Sequence, residues 1–165
     1  REKWDAANDF MEKMLAVIRA DAEDERPDMW VQDRLELGLK SAKRLAASGK
    51  LDEAMQRIEE AVSLLENTMK ITDEVILPTS CSFLEGMKWT AKEDWHSQNN
   101  SPDAPKERMI YISTKMNNMS TCYCVYPSDS LDTLKGKSFD PLRERKDFSA
   151  LCERVESLVV TRPQE

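Results

Sequence analysis

The sequence predicts an α+β domain in which three antiparallel helices precede a small antiparallel β-sheet and a C-terminal helix. Apolar residues recur at every third or fourth position up to about residue 70, which is typical of helices with one buried face. After Thr72 the period becomes two, as in half-buried strands. The content of 40% hydrophobic and 33% charged residues, with only 4 glycines and 7 prolines, also favours a helix-rich globular chain.

The length of 165 residues suits one ordinary domain. We divide it into a helical part, residues 1–72, and a part with the sheet and last helix, residues 73–165. The two parts are expected to pack together as one domain. The sheet would then cover helical surface that a lone hairpin leaves open.

Three helices are predicted in the first part. The first runs from Trp4 to Ala20, and the second follows an N-cap at Asp28 and continues through Ala47. Gly49 can adopt the left-handed conformation that ends a helix, and the third helix then runs from about Leu51 to Met69. The buried stripe of the first helix is expected to contain Trp4, Ala7, Phe10, Met11, Met14, Leu15 and Ile18.

The second part contains several strand patterns. The stretch "DEVILPTSCSF" has a short β-branched run, and "MKWTAKEDW" alternates apolar and polar residues. Two further strands, "RMIYIST" and "TCYCVYP", flank the polar turn "KMNNMS", while "HSQNNSPDAPKE" is a loop by composition. In the tail, Asp140 is expected to cap a helix whose first residue is Pro141.

The stretch "LAASGKLDEAMQRIEEAVSLLE" has small residues where two helices would touch. Gly49 stands at the turn, Ala54 and Ala61 at small positions, and Ile58 at a large one. These residues resemble the tetratricopeptide pattern over about 34 residues, the length of one repeat. Gly38 departs from it, since the family tends to have a large aromatic residue there, and no second copy follows. The resemblance implies a hairpin that binds a partner, although a hairpin used only as core is the alternative.

The tail "SFDPLRERKDFSALCERVESL" resembles the ends of tetratricopeptide regions in bacterial kinases and helix-turn-helix regulators. This resemblance implies the C-terminal sensing part of a larger bacterial regulatory protein. The first residue, Arg1 rather than Met, also suggests a fragment of something longer. We therefore predict a non-enzymatic protein or peptide interaction or sensor module that takes part in transcription regulation. The alternative is a metabolite-binding domain with its pocket between sheet and helices.

Candidate binding residues follow from these two hypotheses. Lys40, Lys43 and Arg44 form a basic patch on the second helix, near the face that tetratricopeptide units turn toward ligands. A solvated helix face is the other interpretation of that patch. For the metabolite hypothesis, the aromatic residues Trp89, Tyr111 and Tyr123 are the candidate pocket lining.

The charge balance bears on the partners. A formal net charge of −7 should repel a phosphate backbone, so we expect no direct contact of this chain with nucleic acid. No apolar run is long enough to span a membrane.

The four cysteines, in a chain that opens on no signal peptide, suggest free thiols in the cytoplasm. A homo-oligomer is possible. The tryptophans are then core or interface anchors rather than base-stacking residues: Trp4, Trp30, Trp89 and Trp95.

Chemical motifs are sparse. Cys122 and Cys124 would project from one face of a strand and could hold zinc with Cys81 or His96, but buried thiols are the commoner outcome.

His96 could act as a base beside Asp94 or with a cysteine, although a surface histidine is favoured. The sequence has no phosphate-binding glycine motif and no HExxH. We therefore predict no enzyme activity, and no catalytic, metal or cofactor residues. The acidic residues are expected to be solvated: Glu93, Asp94, Asp129 and Asp132.

Overall fold

The computed structural model describes residues 6, 9–10, 13–14, 16, 27–77, 88–97, 104–116 and 119–163. Within these ranges the chain is α+β, which confirms the predicted fold class. The helices are α1 (Val31–Ala47), α2 (Leu51–Met69), α3 (Pro127–Lys135), a 3-10 helix (Lys137–Leu142) and α4 (Lys146–Leu158). The strands are β1 (Val75–Leu77), β2 (Trp89–His96), β3 (Lys106–Met116), β4 (Met119–Val125) and β5 (Thr161–Arg162).

The helical hairpin of α1 and α2 is confirmed, and α2 has the predicted bounds. Gly49, with φ of 81°, provides the left-handed turn between them. A Cβ placed on Gly38 would lie 3.8 Å from that of Ala61. These two residues stand 11 and 12 positions from Gly49 on either side, so the helices are antiparallel. The small residues therefore allow the close approach that the sequence pattern predicted.

The N-terminus of α1 differs from the prediction that Asp28 is its N-cap. The N-cap position is Trp30, and the helix starts at Val31. Asp28 lies in the preceding turn, where its carboxylate accepts hydrogen bonds from the Trp30 amide (2.8 Å) and from Arg34 (3.0 Å). Burial of this carboxylate raises the pKa of Asp28 above its ordinary value. Asp28 thus orders the approach to the helix rather than capping it.

The N-terminal segment is described at six positions, all of which are α-helical. Two of them belong to the predicted buried stripe, but Phe10 is 62% exposed and Met14 is 36% exposed. The prediction that these two side chains are buried is therefore wrong. The other members of that stripe lie outside the described residues.

The sheet is antiparallel, with strand order β1-β2-β3-β4, and β5 pairs with the start of β3. The predicted strands are confirmed, and β3 is longer than the pattern indicated. Met116 pairs with Met119, so only residues 117–118 of the predicted turn are left between the strands, and these lie outside the described residues. The face toward the helices carries the buried residues Leu77, Trp89, Ala91, Ile110, Ile112 and Val125.

The tail does not form the single helix predicted from Asp140 and Pro141. Pro127 is the proline at the start of a helix, since it opens α3 after Tyr126. Asp140 and Pro141 lie inside the 3-10 helix, and α4 begins later, at Lys146. The tail therefore contains three helical segments where the sequence pattern indicated one.

The main hydrophobic core joins the helical part to the sheet and tail. Leu39 of α1, Leu65 of α2, Leu134 of α3 and Val155 of α4 line one small interior gap. The rings of Phe139 and Phe148 lie 6.0 Å apart and are almost fully buried. Residues of both predicted parts belong to this one buried cluster.

Candidate functional site

The last helix of the chain, α4, packs along one side of α2 and forms ion pairs with it. Arg154 of α4 donates two hydrogen bonds to the Glu66 carboxylate, at 2.9 and 2.8 Å, and one to Glu59 at 2.7 Å. Arg145 bridges Asp52 (2.7 Å) and Asp147 (2.9 Å). Asp52, Glu59 and Glu66 recur every seven residues, about two helical turns, so they share one side of α2. α4 therefore lies along this side of α2 and partly covers Glu66, while the Asp52 and Glu59 side chains remain 92% and 51% exposed.

The C-terminal end of α2 is also occupied. Arg108 donates to the Met69 carbonyl at 2.7 Å and to Glu93 at 2.8 Å, which places a cation at the negative end of the helix. Trp95 donates its Nε1–H to Glu93 at 3.1 Å, and Arg162 stacks 4.4 Å from the centre of the Trp95 ring. The hydrogen bond from Arg108 lowers the pKa of Glu93. Trp95 is partly exposed and contacts β5 through Arg162, so its role as a core or interface anchor stays a prediction.

An open cleft of about 240 Å³ lies on the other side of the hairpin, between α1, the end of β4 and α3. Its apolar lining comes from Leu35, Leu39 and Val125. Polar side chains line the rest of it. These are Gln32, Glu36, Cys124, Tyr126, Asp129, Ser130 and Thr133.

The position of α3 at this cleft is fixed by a buried carboxylate. Glu107 of β3 is 7% exposed and accepts hydrogen bonds from the Ser128 amide (3.1 Å) and hydroxyl (2.7 Å). An anionic side chain at a helix N-terminus satisfies amides that have no intrahelical partner. Glu107 therefore ties the first turn of α3 to the sheet and sets the width of the cleft.

The cleft lining has an acidic character. It contains Glu36 of α1 and Asp129 of α3 and no basic side chain among the described residues. Burial and the Glu36 charge raise the pKa of the neighbouring Asp33. Desolvation raises the pKa of Tyr126, at the wall, to about 12, so its hydroxyl stays protonated at neutral pH.

The three candidate partner-binding residues lie along α1 beyond the cleft. Lys40 is exposed and forms an ion pair with Glu36, which lines the cleft. Lys43 is exposed and Arg44 is partly exposed. Among the described residues, neither Lys43 nor Arg44 has a carboxylate partner. The basic patch therefore continues from the cleft toward the C-terminal end of α1.

The structure does not bring the three candidate pocket residues together. Trp89 and Tyr123 point to the helical side of the sheet, where their ring centroids are 6.2 Å apart. The Tyr123 hydroxyl donates to the Met29 carbonyl. Tyr111 points to the opposite face, where Lys92 lies 5.9 Å from its ring centre. The buried Trp89 Nε1–H has no acceptor within the described parts of the chain.

The possible zinc and histidine sites are not assembled in the described ranges. There, no group of three or more potential metal ligands is found, and Cys81 lies outside them. His96 is exposed, and its Nε2 lies 4.0 Å from an Asp94 carboxylate oxygen. In the strand register, His96 lies opposite Glu107 of β3, whereas Cys124 lies opposite Tyr111 of β3. Four residues of strand, about 13 Å, thus separate His96 from the cysteine pair along the sheet.

Sequence reasoning missed most of the cleft. Gln32, Ser130 and Thr133 have no motif, and they meet only because α3 folds back beside α1. One available signal was Pro127 followed by Asp129, a proline and an acid in a first helical turn, which would have indicated α3.

No protein-family model, curated protein sequence or solved structure matches this chain. Across the described residues, no helix has the length and apolar content needed to cross a membrane.

Proposed function

We propose that this chain is a non-enzymatic interaction module that binds a protein or peptide segment in the cleft between α1, β4 and α3. The resemblances of the hairpin and tail support the further proposal that it is the C-terminal part of a larger bacterial regulatory protein. One observation carries the binding proposal: α4 packs along the α2 side of the hairpin, while the α1 side has a concave, partly apolar surface.

The size of the cleft suits one large side chain better than a drug-sized ligand. Pockets for drug-sized ligands have volumes of about 300–1,000 Å³, and this cleft has about 240 Å³. Leu35, Leu39 and Val125 can contact one apolar side chain of a bound segment. The surrounding amide and hydroxyl groups of Gln32, Ser130 and Thr133 can bond to its backbone.

The charges indicate where acidic residues of a bound segment would lie. Lys43 and Arg44 follow Leu39 by four and five residues, about 6–7.5 Å along the helix axis. Two residues of an extended peptide cover a similar distance. A partner with an apolar anchor and acidic residues two or three positions to one side of it therefore fits the cleft and the basic patch together.

The proposal is testable with synthetic peptides that have a central Leu, Phe or Trp followed at the second and third positions by Glu. Fluorescence anisotropy should detect binding, and replacing the two Glu by Lys should weaken it. Reversing the charges of Lys43 and Arg44 to Glu should weaken binding about tenfold, because each exposed ion pair contributes about 0.2–1 kcal/mol and reversal adds repulsion. The same double reversal at Lys137 and Lys146 is the matched control.

A second pair of variants tests the cleft itself. Thr133→Trp places a large side chain at the cleft wall and should abolish binding. Asp132→Trp adds the same bulk at the neighbouring exposed position, which does not line the cleft, and should leave binding unchanged. Equal binding by both variants would contradict this location of the site.

The second candidate function is metabolite binding. The buried Trp89 Nε1–H favours it, because this donor has no acceptor among the residues that the structure describes and buried donors normally have a partner. A ligand with an acceptor at this position would raise the midpoint of thermal unfolding. A metabolite that does so, together with no binding of any anchor peptide, would favour this candidate over the first.

A further inference from the structure

Strand β4 lies at one end of the sheet, and one of its sides has no strand partner among the described residues. The strand order is β1-β2-β3-β4, and β4 pairs with β3 alone. The 7 residues of β4 are therefore paired on one side only. A strand in this position has a row of backbone N–H and C=O groups that can pair with a further strand.

The hydrogen bonds of β3 show which of its residues are bonded to β4. Glu107 lies opposite His96 of β2 and opposite Thr161 of β5, so β5 lies on the side of β3 away from β2, as β4 does. On that side the Arg108 amide donates to the Val160 carbonyl at 2.8 Å. Because neighbouring residues of a strand bond in opposite directions, the even-numbered residues of β3 direct their backbone groups toward β4.

The register then identifies the unpaired backbone groups of β4. Tyr123 and Val125 lie opposite even-numbered residues of β3, so their backbone groups are bonded to β3. Cys122 and Cys124 lie opposite odd-numbered residues, so their N–H and C=O groups point away from β3. In the ranges that the structure describes, these groups have no backbone hydrogen-bond partner. We call the backbone of Cys122 and Cys124 the open edge.

The two outer strands of the sheet differ in how they are protected from pairing. β1 has 3 residues and follows the exposed acids Asp73 and Glu74. Short length and charge both discourage the addition of a strand. β4 has 7 residues, and its sequence MSTCYCV contains no charged residue and no proline. The open edge on β4 is therefore the better place for a further strand.

The open edge continues into the cleft. Cys124 belongs to the open edge and also lines the cleft, together with Val125 and with Leu35 and Leu39 of α1. Val125 is buried on the helical side of the sheet. Residues that lie opposite each other on paired strands direct their side chains to the same face. A residue paired with Val125 would thus direct its side chain toward the two leucines.

We propose that the partner segment binds as an additional strand on β4, with its anchor residue opposite Val125 and the anchor side chain in the cleft. This proposal rests on the proposed function and adds the way in which the partner is recognised. Main-chain hydrogen bonds at the open edge hold the segment, and the cleft selects the anchor. The partner is therefore an extended peptide stretch with no proline at the positions that bond to β4.

Amide hydrogen exchange measured by NMR on the whole chain tests the open edge residue by residue. In the free chain, the amides of Cys122 and Cys124 should exchange faster than those of Tyr123 and Val125, which are bonded to β3. Addition of the best-binding anchor peptide should slow exchange at Cys122 and Cys124. Slow exchange at both residues in the free chain, or unchanged exchange in the complex, would overturn the proposal.

N-methylated anchor peptides test the same bonds from the partner's side. A paired strand bonds through alternate residues, so the scan covers the peptide residues on the side of the anchor away from the two Glu. Methylation of every second amide should weaken binding about tenfold, and methylation of the amides between them should have little effect. Equal effects at all positions would overturn strand pairing and leave the proposed function intact. Failure of every unmethylated anchor peptide to bind would overturn the proposed function, and strand pairing with it.

A proline substitution tests the open edge in the protein. Cys122→Pro removes an amide that points away from β3, so it should preserve the sheet and weaken peptide binding about tenfold. Cys122→Ala keeps the amide and is the matched control, with binding like that of the wild type. Normal peptide binding by a folded Cys122→Pro chain would contradict the proposal. If this variant does not fold, the methylated peptides still decide the outcome.

Sedimentation velocity distinguishes a peptide from a second copy of this chain as the occupant of the open edge. The wild type should sediment as a monomer in the concentration range of the binding measurements. A dimer that Cys122→Pro dissociates, and that the anchor peptides do not, would overturn the proposal, because the open edge would then pair with the same edge of another copy.

Discussion

The two helices of the hairpin differ in what covers their outer sides. On α2, three acids at seven-residue intervals are held by Arg145 and Arg154 of the tail, and buried aromatic rings lie beneath α4. On α1, the tail contributes α3 as the far wall of an open cleft. A single hairpin without neighbouring repeats can thus be stabilised on one side by its own C-terminal helix and keep a concave surface on the other.

The largest expected effect is on the covered side. Phe148→Ala removes a ring that is 2% exposed, and it should lower the free energy of unfolding by about 3–5 kcal/mol. Chemical denaturation measures this loss. Ser149→Ala, at the next and exposed position, should change the stability by less than about 0.5 kcal/mol. Similar small losses in both variants would mean that α4 is not packed on α2 as described.

A smaller effect is expected at the turn that the two sides share. Gly49→Ala forces an L residue into the left-handed region and should lower the free energy of unfolding by about 1–2 kcal/mol. Space is not limiting, since a Cβ at this position would meet no atom within 4 Å. Lys50→Ala, where φ is −86°, is the matched control and should be nearly neutral. An unchanged unfolding midpoint for Gly49→Ala would contradict this turn geometry.

The smallest stability effect concerns the ion pairs of α4. Arg154→Met should lower the free energy of unfolding by about 1 kcal/mol at neutral pH, because the Arg154 and Glu66 side chains are only 37% and 30% exposed. Lys146→Met, on the exposed side of α4, should have little effect.

The loss in Arg154→Met should depend on pH. Arg154 lowers the pKa of Glu66 in the folded chain, so the ion pair contributes fully above about pH 5 and is lost as the pH falls through the folded pKa. Wild type and Arg154→Met should therefore converge in stability in acid. A constant difference between them from pH 7 to pH 3 would show that Arg154 acts through packing instead.

The elements that the sequence predicted well depend on local patterns. The stripe and turn of the hairpin, and the alternation in β2, are set by residues close in sequence, so periodicity identifies them. The tail was harder, because both Pro127 and Pro141 satisfy the preference for proline in a first helical turn. The preference does not say which one begins a helix, and Pro141 is instead accommodated in a 3-10 helix.

The candidate site was less predictable than the fold. The basic patch was identified from the sequence because Lys40, Lys43 and Arg44 lie on one helix. The cleft requires α3 and β4 to meet α1, which is a tertiary arrangement fixed partly by the buried bond from Ser128 to Glu107. Tyr111 was grouped with Trp89 and Tyr123 by residue type, although strand alternation and register place it on the other face of the sheet.

Hydrogen exchange on the complete chain, with and without the best-binding anchor peptide, tests the difference between the two sides most directly. The account predicts slower exchange on the peptide's addition in residues 32–39 and 124–133, with no change in residues 59–66 and 150–158. Slower exchange confined to the α2 and α4 side would contradict it, because the peptide would then bind where the chain already covers itself.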